Sequence, residues 1–123
     1  MANTEDNTVA WFEIGTPDVT GAKSFYGGLF GWTFTADGDY TVVTAPGASG
    51  PSGGIMNTAP IGSPPYAIFC VQVPDVAAVA AKAAQTGGKV VVEPMTMEDG
   101  MVVAYLADPN GSHFAIYSPR PAA

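Results

Sequence analysis

Few side chains in this sequence could carry chemistry. His113 is the only imidazole and Cys70 the only thiol. A tight metal site needs three or four convergent nitrogen, oxygen or sulfur donors. Glu13 stands out among the acids because of its setting. The run from Val9 to Thr16 alternates, with Phe12 and Ile14 on one face and Trp11, Glu13 and Gly15 on the other. A carboxylate on such a face costs free energy unless it is paired or hydrogen-bonded. Glu13 therefore reads in two ways. It is a buried tether to backbone amides or a tyrosine hydroxyl, or it meets a ligand's donor or transfers a proton. His113 reads as a satisfied pocket or surface histidine, as a hydrogen-bond donor to a ligand, or as a general base. Cys70 lies in a predicted buried strand, where a free thiol acts as a small apolar filler.

The elements that must position these groups occur twice. Pro17-Asp18-Val19 follows the first strand-like run, and Pro74-Asp75-Val76 follows a second, Tyr66 to Val73, half a chain later. The same offset carries Gly31 onto Gly88 and Gly54 onto Gly111. A long period present only twice points to two copies of one supersecondary unit rather than a solenoid. Asp18 and Asp75 each read as an N-cap. The first helix carries Ala22, Phe25, Tyr26 and Leu29 and stops by Gly31. The second, Val76 to about Gln85, is built of alanine and valine, which favour helix and close packing. After each helix come three strands. Trp32 to Ala36, Tyr40 to Ala45 and Ile55 to Asn57 complete a first βαβββ module over residues 9–57. Lys89 to Met97, Met101 to Ala107 and Ser112 to Ser118 complete a second over 66–118. Residues 58–65, with three prolines, form the linker within a single domain of 1–123. The Gly/Ser-rich run Gly47 to Gly54 lacks the lysine and the strand-to-helix context of a phosphate loop.

The totals narrow the partners. The chain has 123 residues, 47% hydrophobic and 12% charged, which suits a globular domain with a modest core. A net charge of −7 with four Lys and Arg excludes the clustered cations that nucleic acid or an anionic membrane surface demands. No apolar run is long enough to span a bilayer. The start of the chain lacks the features of a signal peptide, and a single cysteine excludes an internal disulfide. Both fit a cytoplasmic location.

Trp11-Phe12-Glu13-Ile14-Gly15-Thr16-Pro17-Asp18, then Phe25-Tyr26 with Leu29-Phe30-Gly31-Trp32, then Asp108-Pro109-Asn110-Gly111, stand in order along the chain. Together they resemble the vicinal oxygen chelate superfamily, which includes glyoxalase I, extradiol dioxygenases, and fosfomycin- and bleomycin-resistance proteins. The resemblance covers nearly the whole chain. It implies an α+β fold in which two tandem βαβββ modules form curved mixed sheets around a cavity. Helices lie on the convex side and the ligand on the concave side. Alternation then assigns Trp11, Glu13, Ile68, Cys70, Gln72, His113, Ala115 and Tyr117 to the cavity, with Trp32, Phe34, Tyr40 and Tyr105 as further walls.

Metal-dependent members of the family place one ligand seven residues before the capping Asp and another four residues after the Gly of the Asp-Pro-x-Gly turn. On this chain those positions are Trp11, Ile68, Ala115 and about Thr58. Tryptophan, isoleucine and alanine coordinate nothing, and a neutral threonine is a poor ligand. The expectation is a protein without metal or other cofactor that binds and sequesters a bulky apolar or aromatic small molecule, such as an antibiotic or other natural product. The resemblance also implies a homodimer. The alternative is a metal-free isomerase, cyclase or lyase of secondary metabolism. There Glu13 or His113 moves a proton and Tyr105 or Tyr117 steadies an oxyanion. The lost ligands argue against a metal-dependent glyoxalase-type lyase or dioxygenase.

Overall fold

The computed structural model describes residues 6–38 and 40–119. The elements follow in the order β1 (Thr8–Thr16), α1 (Val19–Phe30), β2 (Thr33–Asp37), β3 (Tyr40–Thr44), β4 (Gly53–Asn57), a 3-10 turn (Ala59–Ile61), β5 (Tyr66–Gln72), α2 (Val76–Gln85), β6 (Lys89–Thr96), β7 (Val102–Ala107) and β8 (His113–Ser118). This is βαβββ twice, an α+β chain with mixed pairing. Strand β4 starts at Gly53, two residues before the alternation alone places it, because Gly53 and Gly54 pair in parallel with Phe12 and Glu13. The linker is not featureless, since Ala59–Ile61 makes one 3-10 turn begun by Thr58.

The chain divides into two compact units, Trp11–Ala67 and a unit that joins residues up to Ala10 with those from Ile68 onward. The first half-repeat thus gives its opening residues to the second. The Asn7 backbone N–H donates to the Gln72 carbonyl at 2.6 Å.

In the Trp11–Ala67 unit the strands lie in the order β2-β3-β4-β1. Strand β1 runs parallel to β4, and the other neighbours are antiparallel. Asp18 starts α1 by accepting from the Gly21 N–H at 2.9 Å. Gly31 ends it in the left-handed region, φ 70°, where its N–H reaches the Gly27 carbonyl. One face of the sheet packs on this helix. Ile14, Val43 and Ile55 are buried there, joined by Phe12, Val19, Ala22, Tyr26, Trp32 and Phe34.

In the other unit the order is β5-β8-β7-β6. Strand β5 runs parallel to β8. Asp75 starts α2 by accepting from the Ala78 N–H at 3.1 Å. Val73, Val76, Ala80, Ala104, Leu106 and Ile116 form the core beneath α2. The Asp108-Pro109-Asn110-Gly111 turn is held by one carboxylate oxygen: Asp108 Oδ1 accepts from the N–H groups of Asn110 and Ser112 at 2.9 and 3.0 Å. That motif is accounted for by turn chemistry.

Candidate functional site

In the Trp11–Ala67 unit, residues of β1 alternate about the sheet, so Trp11, Glu13 and Gly15 face away from α1. Cross-strand partners share a face, which adds Gly54 and Met56 of β4 and Tyr40 and Val42 of β3. Two hydrogen bonds organise this surface. The Trp11 indole N–H donates to the Tyr40 hydroxyl at 2.9 Å. The Tyr66 hydroxyl donates to Glu13 Oε2 at 2.7 Å, an ordinary O–H···O distance, and the Glu13 side chain is only 5% exposed. Two glycines make the approach possible. A Cβ on Gly15 would lie 2.1–2.6 Å from three atoms of the Tyr66 ring. A Cβ on Gly54 would lie 2.2–2.3 Å from the Tyr40 ring and hydroxyl. Each glycine leaves room for a ring whose hydroxyl then reaches its partner.

Trp32 and Phe34, expected among the cavity walls, sit on the opposite side of this sheet. Both pack into the helix-side cluster. Trp32 is flanked by the rings of Phe12, Tyr26 and Phe30 at centroid distances of 5.4, 5.5 and 5.1 Å. The cause is phase: β2 begins at Thr33, and Phe34 pairs with the buried, helix-facing Val43. Tyr66 was not among the expected site residues. Gly15, in a strand interior where glycine weakens pairing, was the signal that another group comes close.

In the other unit the face away from α2 carries two rungs. Cys70, Ala115 and Tyr105 form one, and Gln72, Tyr117 and Val103 the next. Ile68 precedes them on the same side of β5 and is half-buried. Cys70 and Ala115 are buried, and Tyr105 and Tyr117 are half-buried. Gln72 is 5% exposed, and its Nε2 has no hydrogen-bond partner among the described residues. An amide left this way has given up its water without compensation. His113 opens β8 opposite Ala107 and is exposed. It is a surface histidine at a strand end rather than a group enclosed among the tyrosines.

The donor set does not fit the metal that the fold family uses. Trp11, Ile68 and Ala115 stand at the corresponding positions, and Thr58, fully buried, caps the 3-10 turn. Among the described residues no three His, Cys, Asp or Glu side chains gather closely enough to hold an ion. The buried Glu13 carboxylate accepts from the Tyr66 phenol. No described helix is long and apolar enough to cross a membrane.

Comparison with known proteins agrees with this architecture. Residues 8–116 match the model of the "Glyoxalase/Bleomycin resistance protein/Dioxygenase superfamily". The chain is 35% identical over 131 aligned positions to "Anthracycline biosynthesis protein DnrV" of Streptomyces peucetius, covering 88% of this chain and 46% of that one. It is 34% identical to CFP32 of Mycobacterium tuberculosis over 95% of this chain and 46% of that one. The chain therefore spans about half the length of the curated relatives it matches. Among solved structures, methylmalonyl-CoA epimerase from M. tuberculosis superposes with a TM-score of 0.62 at 16% identity, covering 98% and 94% of the two chains. The Mn(II)-bound glyoxalase from Novosphingobium aromaticivorans superposes with a TM-score of 0.63 at 18% identity, covering 97% of this chain and 43% of that one. At such identities the structures speak for the fold alone. With the βαβββ repeat, the family-model match and the curated relatives in agreement, the chain belongs to the glyoxalase/bleomycin-resistance/dioxygenase superfamily.

Proposed function

We propose that the protein binds a flat aromatic small molecule without metal, on the face of the Trp11–Ala67 unit that carries Trp11. One observation carries this reading: the contrast between the two tryptophans. Trp32 is flanked by three rings, whereas no described aromatic ring stacks on Trp11, whose indole N–H is fixed by Tyr40. A ring locked in plane and half-buried loses little entropy on stacking against a conjugated ligand. Val42 and Met56 are apolar neighbours on the same face. The name of the relative DnrV, an anthracycline biosynthesis protein, points to the same ligand class, a polycyclic aromatic natural product. Sequestration of an antibiotic is the simplest use of such a face.

The test isolates the reporter. Trp32→Phe leaves Trp11 as the only tryptophan. Its fluorescence should be quenched saturably by an anthracycline, and the compound should be recovered chemically unchanged. Absence of saturable quenching sinks the binding reading. The burial of Glu13 beside the Tyr66 hydroxyl supports a second reading, a metal-free isomerase, cyclase or lyase of secondary metabolism. There the carboxyl would move a proton and the phenol would hold it in place. Conversion of the added compound that is lost in Glu13→Gln would favour this reading over sequestration.

A further inference from the structure

We infer that the tip of the β6–β7 hairpin binds one soft monovalent metal ion, Cu(I), through the thioethers of Met95, Met97 and Met101. Three of the chain's five methionines fall in this short stretch. None of the three joins either core cluster. Met95 and Met97 are 41% and 37% exposed, and Met101 is half-buried. Core packing therefore does not account for these long apolar side chains beside a turn.

Register places all three on one side of the hairpin. The turn is tight. The Gly100 N–H donates to the Met97 carbonyl at 2.9 Å, and the Met97 N–H donates to the Met101 carbonyl at 2.7 Å. Gly100, φ 93°, supplies the left-handed residue that such a three-residue loop needs. Asp99 Oδ1 accepts from the Met101 N–H at 3.0 Å and fixes the entry into β7. Met97 and Met101 thus face each other across the end of the hairpin, and Met95 pairs with Val103. Met101 shares its side with Val103 and Tyr105, away from the core beneath α2. The place of Met95 and Met97 there depends on an irregularity. Val92 is opposite Tyr105, so regular pairing would set Pro94 opposite Val103 and Thr96 opposite Met101. The register shift between Val92 and Met95 brings Met95 and Met97 to those places instead. The extra residue exchanges a proline and a threonine for two thioethers.

The spacing permits convergence. Cβ atoms directly opposite each other stand about 4.5–5.5 Å apart and diagonal neighbours about 7–8 Å. Each sulfur sits on an unbranched stem with three rotatable bonds. Three sulfurs on these stems can meet at one point above the hairpin. Chemistry then selects the ion. Thioethers are soft, uncharged donors, which suit Cu(I). Ca²⁺ and Mg²⁺ require oxygen ligands, and Zn²⁺ takes thiolate, imidazole or carboxylate. Three neutral sulfurs do not offset the charge of a dication, whereas a single positive charge asks less of them. Glu98 and Asp99 in the turn, on a chain of net charge −7, draw a cation toward the tip. The site lies in the unit that does not carry Trp11, so it stands apart from the face proposed for an aromatic ligand.

Titration of the whole chain, labelled with ¹³C at its methionine methyls, with Ag(I) tests this, because Ag(I) is as soft as Cu(I) and stays in one oxidation state. Nuclear magnetic resonance should show saturation at one ion per chain. The methyl signals of Met95, Met97 and Met101 should shift together while that of Met56 in β4 stays in place. Met97→Leu and Met101→Leu roughly keep the side-chain volume, and each should weaken binding about tenfold or more with circular dichroism unchanged. Cys70→Ala removes the only thiol, and binding should persist. Cu(I) added without oxygen should displace Ag(I) from the same methyls. Absence of saturable binding overturns the inference. So do shifts that include Met56 equally, leucine variants that bind as tightly as the unsubstituted chain, binding lost with Cys70, or Cu(I) that leaves the Ag(I)-shifted signals unmoved.

Discussion

The Gly15→Ala substitution should show how tightly the Glu13 tether depends on space. The added methyl would lie 2.1–2.6 Å from three atoms of the Tyr66 ring, more than an ångström inside van der Waals contact. Gly15 is paired with Met56 across the β1–β4 ladder, so the ring, not the backbone, must give way. Displacing it breaks the 2.7 Å bond from the Tyr66 hydroxyl to Glu13. Loss of a buried hydrogen bond costs about 1–1.5 kcal/mol and overpacking about 1–3, so the substitution should destabilise by roughly 2–4 kcal/mol. Urea denaturation followed by circular dichroism measures this directly. The decisive arm is the background. In Tyr66→Ala the obstructing ring is gone, and replacing glycine by alanine in a strand should be neutral or stabilise by up to about 1 kcal/mol. In Tyr66→Phe the ring remains, and most of the cost should remain with it. If Gly15→Ala costs the same with and without the Tyr66 ring, the steric account is wrong, and with it the claim that this glycine shapes the face.

Three further outcomes follow from particular contacts. Gln72→Met keeps the shape of a buried side chain whose Nε2 has no partner among the described residues, so stability should hold or rise by up to about 1 kcal/mol. Asp75→Ala removes the acceptor of the Ala78 N–H and should lower the thermal midpoint by an amount equivalent to about 1 kcal/mol. Leu106→Ala empties a position 1% exposed beneath α2 and should cost about 2–5 kcal/mol in chemical denaturation.

The fold was legible because its signals are local and repeated. The Pro-Asp-Val step marks both helix starts, and in each case the Asp caps the helix. Period-two alternation puts Phe12 and Ile14 on the helix side of the first sheet and Phe69, Val71, Val73, Phe114 and Ile116 on that of the second; all join the cores except Phe69, which is half-exposed and stacks on Phe114. Phase was harder where strands are short. Trp32 precedes β2 rather than lying in it, so alternation within the strand says nothing of its side, and its bulk suggested a wall. Three rings around it hold it in the core. Tyr66 escaped notice because its role rests on Glu13 and Gly15, which lie most of a module away in sequence. No local pattern encodes such a contact. His113 was placed by alternation alone, which gives a side of the sheet but not a depth, and a residue at a strand end is exposed on either side.

The same residues show how this face can be held rigid by its own side chains. A metal site orders its surroundings by binding several side chains at once. In the Trp11–Ala67 unit that ordering comes from two paired devices, each a glycine under a tyrosine ring whose hydroxyl meets a β1 side chain. Tyr40 lies over Gly54 and holds Trp11, and Tyr66 lies over Gly15 and holds Glu13. The two devices differ in consequence. Trp11 is fixed through its edge, so its ring faces are not used by the bond. Glu13 accepts through Oε2, and any ligand competing for that oxygen must displace a hydrogen bond in a buried setting. Stacking on Trp11 thus requires no rearrangement of the tether, whereas proton transfer at Glu13 Oε2 requires Tyr66 to yield. Under the proposed reading, that asymmetry makes stacking the less costly of the two events. It predicts that Tyr66→Phe, which removes the phenol's hydrogen bond at a cost in stability, raises any turnover the protein has. A fall in turnover on that substitution would instead make the phenol part of the chemistry.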